Sequence, residues 1–146
     1  KAKLKLIGDG PLKHEIENKI QKLGISDLVE LPGYLPQKRI IDELHNSHFL
    51  VLPSDIETFG MVLVEAQACG KPVIAGNSGG TSETLMEGAT GFIIDCSSPE
   101  VICAALPEVL NNSKKQDSDY IASHAKQTFN WDKHTDAFIT LMESGE

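Results

Sequence analysis

The chain has 146 residues, 40% of them apolar or aromatic and 23% charged, enough for one globular domain with a sizeable core. Its formal net charge of −8 argues against nucleic acid or an anionic membrane as partner, and no apolar run approaches the roughly 18 residues of a membrane span. Cys69, Cys96 and Cys103 are odd in number, lack metal-ligand spacing and sit in apolar contexts, so they read as reduced thiols of a reducing cytoplasm. The first residue is Lys1 rather than Met, so a longer parent chain is expected.

In chain order, LKLIG (4–8) predicts a strand, GDGP turns the chain, and LKHEIENKIQKLG predicts a helix. Its Leu12, Ile16, Ile20 and Leu23 share one stripe, with Gly24 as C-cap. DLVELPG (27–33) is a short strand, KRIIDELHNS a helix, and HFLVLPS (48–54) a strand of the kind buried on both faces. FGMVLVEAQACG predicts a helix and KPVIAG a strand. SGGTSETLMEG is a glycine-rich turn opening a short helix, and ATGFIID (89–95) is the fifth strand. After SSPE, an N-cap signal followed by proline, helices fill the rest, with NNSKKQDSD (111–119) a polar junction between them. Trp131 reads as a core anchor of the last helix, and Cys69 and Cys103 as small core fillers.

Strands alternating with helices indicate βαβ units and a mainly parallel, doubly wound α/β sheet. Ligands of such sheets bind at the carboxyl ends of the strands. The unusual stretches GDGP, PGYLP, PSDIETFG and GNSGG all lie in those loops. The amides of Phe59, Gly60 and Met61 would be orphan donors at a helix start, suited to a diphosphate. Glu57 and Glu65, eight apart, would bracket that anion, and carboxylates accept hydrogen bonds from sugar hydroxyls. A diphosphate bracketed by two hydroxyl-binding carboxylates describes a nucleotide-sugar. The bland alternative makes Glu57 a helix cap and Glu65 a partly exposed surface residue. Gly79-Gly80 is either a simple strand-to-helix turn or a close approach to sugar or phosphate. Glu83 either lies near the donor loop or merely opens its helix, and the five histidines show no shared spacing for a metal.

GDGP after a strand, PGYLP, LPSDIETFGMVLVEAQACGKPVIAGNSGGTSE and GATGFII, in that order, resemble the donor-binding C-terminal half of GT-B glycosyltransferases of the retaining family 4 type, the glycosyl transferases group 1. The resemblance runs from about residue 4 to residue 112, and FNWDKHTDAFITLM (helix at about 131–143) resembles the family's C-terminal helix. It implies a Rossmann-like nucleotide-sugar-binding domain over residues 1–146. The parent would be a hexosyltransferase-type enzyme of polysaccharide biosynthesis, using a nucleotide-diphosphate sugar as substrate with no cofactor or metal.

By the same resemblance Glu57 is the catalytic-site carboxylate that touches hydroxyls of the transferred sugar. Glu65 binds the nucleotide ribose, Thr58 lies with them in the donor loop, and Phe59, Gly60 and Met61 offer amides to sugar and diphosphate. Gly8 and Gly10 belong to the loop facing the phosphates, and Tyr34 to the turn beside the base. The family order 3-2-1-4-5-6 would lack its first strand here, with the Arg and Lys that clamp the diphosphate. Strands 4–8 and 48–53 would then flank a vacant place. The acceptor domain would also be missing, so this piece alone is expected to be inactive. A glycan or lipid-linked acceptor, and any membrane contact of the cytoplasmic parent, would be met by the missing half. Two other readings stand beside this one: a non-catalytic nucleotide-sugar-binding module or partner subunit, and a phosphate-regulated response domain. The last needs an acidic cluster and a Lys at strand ends that the sequence lacks.

Overall fold

The computed structural model describes residues 2–144, with all side chains in that span except those of Phe138, Glu143 and Ser144. It divides into two compact units, 1–40 and 41–146.

In the first unit, β1 (Leu4–Ile7) pairs in parallel with β2 (Val29–Gly33), with α1 (Lys13–Leu23) between them in sequence. Leu4 faces Val29 and Lys5 faces Glu30, whose carboxylate meets the Lys5 ammonium at 3.1 Å. The register then slips before Ile7 meets Gly33. Pro32 lies in that stretch of β2 and has no N–H to give the ladder, which accounts for the irregularity. Gly24 ends α1 in the left-handed conformation (φ 64°), its amide donating to the carbonyls of Gln21 and Ile20, the C-cap predicted from sequence. The apolar stripe of α1 is largely uncovered, with Leu12 and Leu23 about 60% exposed. All four residues of β1 are exposed as well.

In the second unit, β3 (Leu50–Leu52), β4 (Val73–Gly76) and β5 (Gly91–Ile94) form a parallel sheet in the order β3-β4-β5. Leu50 lies opposite Val73 and Gly76 opposite Ile94, in unbroken register. Central β4 is buried at every position, so its VIAG sequence has no alternation. α3 (Met61–Ala68) buries Leu63, Val64, Ala66 and Gln67, which is why MVLVEAQA is apolar nearly all round. α4 (Pro99–Ser113), α5 (Ser118–Thr128) and α6 (Trp131–Ser144) complete the unit, and α2 (Gln37–His45) spans the boundary at residue 40. Ser98 accepts from the Val101 amide to cap α4, with Pro99 in its first turn. Asp117 accepts from the amides of Asp119 and Tyr120 to cap α5.

The second unit's core is Leu44, Leu63, Val64, Ala66, Val73, Ile74, Ala75, Leu85, Ile94, Ile121 and Ala125. Burial of one of its large side chains contributes about 1.5–3 kcal/mol. Of the elements expected from sequence, all five strands are present, and the pairing within each sheet is parallel. Among the described residues the strands form two separate sheets, β1-β2 and β3-β4-β5. Three expectations are corrected. β3 is only half-buried and three residues long, because its edge away from β4 carries no partner strand among the described residues. Trp131 is 78% exposed at the start of α6, and the aromatic anchor at that corner is Phe129, whose ring meets Phe59 edge-on at 6.0 Å. Cys69, the C-cap of α3, is half-buried and Cys103 on α4 is exposed, so neither fills the core; the buried positions of α3 go to Leu63, Val64, Ala66 and Gln67.

Candidate donor site

The predicted site residues fall at the carboxyl ends of the two parallel sheets. In the first unit, Gly8 follows β1 with φ 133° and donates its amide to the Gly33 carbonyl at 2.9 Å. Tyr34 follows Gly33 and is 79% exposed, so the β1 and β2 loops bring Gly8, Gly10 and Tyr34 to one end of the two-stranded sheet. The Asp9 carboxylate accepts from the Gly10 amide at 2.9 Å and pairs with Lys13 at 3.6 Å. A Cβ added at Gly8 or Gly10 would meet nothing within 4 Å, leaving open space above both.

In the second unit the loop after β3 carries Glu57 to Gly60 into the start of α3. One oxygen of the Glu57 carboxylate accepts from the amides of Thr58 and Gly60, both at 3.1 Å. The helix start thus attracts a carboxylate oxygen, as the positive end of a helix should. Of the three amides expected to face a diphosphate, that of Gly60 is engaged by Glu57. Those of Phe59 and Met61 have no partner among the described residues. Gly60 sits at φ 84°, a left-handed turn that directs the chain into α3, and a Cβ there would press on the Leu63 side chain. Glu65 lies one turn into α3, half-buried, about 6 Å along the axis from Met61 at ~1.5 Å per residue.

The role of Gly79-Gly80 is now visible. A Cβ on Gly79 would overlap the Glu57 carbonyl, and one on Gly80 would overlap that of Thr58. Both glycines are required because the loop after β4 lies directly on the Glu57-Thr58 backbone, where the Gly80 amide donates to the Glu57 carbonyl at 3.3 Å. Glu83 lies in the single 3-10 turn Thr81–Glu83 that follows.

A set of buried polar side chains fixes this loop, and sequence reasoning missed it. The Thr81 hydroxyl, 1% exposed, donates toward the carbonyls of Gly76 and Ser78 at 2.8 and 2.9 Å. The Thr84 hydroxyl donates to the Thr81 carbonyl at 2.8 Å. The Gln67 amide reaches from α3 to the Thr84 carbonyl at 2.7 Å. Ser78 ties this loop to the one after β3 by donating to the Ser54 carbonyl at 2.8 Å. Threonine and glutamine in TSET and VEAQA give no pattern that separates them from surface residues, so no sequence signal marked them.

Beside this loop a cavity of about 410 Å³ opens at the carboxyl ends of β3, β4 and β5, lined by Ser54, Asp55, Asn77, Asp95, Cys96 and Ser97. Its lining is rich in hydrogen-bond acceptors and holds no cation, so it repels phosphate and suits a neutral polyhydroxylated group. The Ser97 amide donates to Asp95 at 2.8 Å and holds its carboxyl below the usual range. Burial raises the Cys96 thiol, and the nearby carboxylates of Asp55 and Asp95 raise it further. These lining residues follow the strand ends directly, a signal available from the strand boundaries alone.

The family model for glycosyl transferases group 1 matches residues 1–128. An uncharacterized glycosyltransferase of Methanocaldococcus jannaschii is 36% identical over 132 residues, covering 88% of this chain and 37% of that protein. A D-inositol 3-phosphate glycosyltransferase of Streptomyces griseus is 35% identical over 132 residues, covering 86% and 27%. The chain therefore spans between a quarter and two fifths of the length of these relatives. Among solved structures, Anabaena HepE in complex with UDP aligns with TM-score 0.81 at 22% identity, covering 98% of this chain and 41% of that one. Sucrose-phosphate synthase from Thermosynechococcus elongatus aligns with TM-score 0.79 at 24% identity, covering 97% and 39%. These likenesses bear out a GT-B, Rossmann-like α/β fold. The match over most of its length makes the chain a member of the glycosyl transferases group 1 family.

Proposed function

We propose that the chain is the donor-binding half of a retaining, hexosyltransferase-type glycosyltransferase, which moves a sugar from a nucleotide-diphosphate sugar to a glycan or lipid-linked acceptor. The observation that carries this reading is the start of α3. There the Phe59 and Met61 amides are free among the described residues, and the donors of Thr58 and Gly60 already hold one carboxylate oxygen. A diphosphate oxygen would replace that carboxylate at the same donors, a one-for-one exchange that keeps the amides paired. Glu57, released, would accept hydrogen bonds from hydroxyls of the transferred sugar, and the neighbouring cation-free cavity would hold the rest of that sugar. Glu65, one turn along α3, would take the ribose hydroxyls. In the first unit, Gly8 and Gly10 would leave room for phosphate, and Tyr34 would lie beside the base.

In this reading the acceptor oxygen attacks the anomeric carbon from the face the diphosphate leaves. The bond from that carbon to the phosphate oxygen breaks, and the acceptor's proton passes to the departing diphosphate. No protein nucleophile is consumed. A neighbour of the same fold crystallised with UDP, and again with UDP-glucose, supports the choice of donor class.

Calorimetric titration with UDP, GDP and their sugars tests the proposal. One nucleotide should bind saturably, and Glu65→Ala should weaken it about tenfold, the loss expected for a hydrogen bond to a charged group. Unchanged affinity in a folded Glu65→Ala protein would remove the ribose role. Failure of every nucleotide to bind both this chain and its parent would overturn the donor-binding reading.

A further inference from the structure

At the opposite, amino ends of β3 and β4 lies a second cavity, of about 220 Å³, that the donor reading does not use. It is formed where Phe49 leads into β3, Pro72 leads into β4, and the turn between α4 and α5 closes over them. Its ionisable lining groups are Lys71, Lys114 and His48, and none is acidic. In a chain of net charge −8 such a one-sided lining is a local reversal of sign. Lys71 is held in place by donating to the His45 carbonyl at 3.1 Å, at the carboxyl end of α2, while Lys114 is exposed at the mouth. Asp117, the carboxylate adjacent in sequence, is committed to capping α5 through the amides of Asp119 and Tyr120.

Gln116 lines the same cavity, and both polar atoms of its amide are shut away from solvent with no hydrogen-bond partner among the described residues. Native structures rarely leave a whole amide unsatisfied, and where they do, a water or a ligand commonly supplies the bonds. Turning the Gln116 amide toward the cavity breaks no hydrogen bond among the described residues, so an occupant with acceptor oxygens can take its N–H. The Ser47 and Ser113 hydroxyls already donate to the carbonyls of Glu43 and Leu110, which leaves their lone pairs facing any donor the occupant carries.

We propose that this cavity is a binding site for a small phosphoryl-bearing anion, with Lys71 and Lys114 supplying charge and the Gln116 amide supplying direction. It is separate from the donor loops, which lie at the other ends of the same strands. The space exceeds that of a bare phosphate, so a small phosphate monoester fits within it.

The test is a titration of the 146-residue chain with inorganic phosphate and, in parallel, glycerol phosphate, followed by amide resonances at constant ionic strength. Saturable shifts are expected at Ser47, Phe49, Lys71 and Gln116, distinct from any at Phe59, Gly60 and Met61. Lys71→Gln with Lys114→Gln should weaken binding at least about tenfold, as loss of paired charge contacts does. Gln116→Ala, a milder change, should weaken it without altering the fold. Tighter binding of the ester would assign the cavity to a monoester, and equal binding to the phosphoryl group alone. Shifts that grow without saturating for both anions, or that persist unchanged in folded lysine variants, would overturn the proposal.

Discussion

The contact between the loop after β4 and the loop after β3 can be tested at Gly79. Replacing it by alanine does two things that the structure separates. Gly79 sits at φ 50°, where a β-carbon costs about 1–2 kcal/mol. The added carbon also overlaps the Glu57 carbonyl, forcing the loops apart at about 1–3 kcal/mol and endangering the Gly80–Glu57 hydrogen bond, worth about 1 kcal/mol. Together these give a loss of about 3–6 kcal/mol. Gly88 is the control: its φ of 76° is left-handed too, but a β-carbon there meets nothing within 4 Å. Gly88→Ala should therefore cost only about 1–2 kcal/mol. Urea denaturation followed by far-ultraviolet circular dichroism gives both numbers, and nucleotide titration shows whether the displaced loop also weakens binding. Equal losses for the two alanine variants would refute the claim that loop-to-loop contact, rather than backbone conformation, requires glycine at position 79.

Gln67→Glu places an acceptor against the Thr84 and Leu63 carbonyls in a position without solvent, where the charged form is strongly disfavoured. Its carboxyl should titrate above its unfolded value, so the variant should be nearly normal in acid and lose about 3–5 kcal/mol as pH rises through that raised value. A pH-independent loss in thermal melts would contradict the assigned hydrogen bonds. Among the thiols, burial raises Cys69 and, with nearby carboxylates, Cys96, whereas Cys103 is exposed. Alkylation by iodoacetamide at neutral pH, read by peptide mass mapping, should modify Cys103 first, and earlier labelling of Cys96 would contradict the structure.

Much of this was legible in the sequence, for identifiable reasons. Five strands and their intervening helices followed from apolar runs bounded by glycine and proline, as in KPVIAG before GNSGG, because those residues punctuate the backbone directly. The placement of Glu57 beside a helix start followed from the Phe59-Gly60 step. The posture of Glu57 did not: a carboxylate that caps its own loop and one that waits for a ligand have the same sequence. Trp131 misled because size suggests burial, but the corner it occupies is already filled by the Phe129–Phe59 pair. The polar threonines of the 81–90 loop were illegible because their burial depends on carbonyls of Gly76 and Thr81 that only the folded turn brings into reach. The apolar run of β3 indicated a strand buried on both faces, yet nothing in its own residues states which neighbour would cover its second edge.

The exposure of β1 makes the chain's resistance to opening uneven. Among the described residues β1 pairs with one strand and α1 has no buried residue, whereas β4 is flanked on both sides and buried at every position. Amide protons of β1 and β2 should therefore exchange with solvent through local parting of one short ladder, while those of Val73 to Gly76 wait for the three-stranded core to come apart.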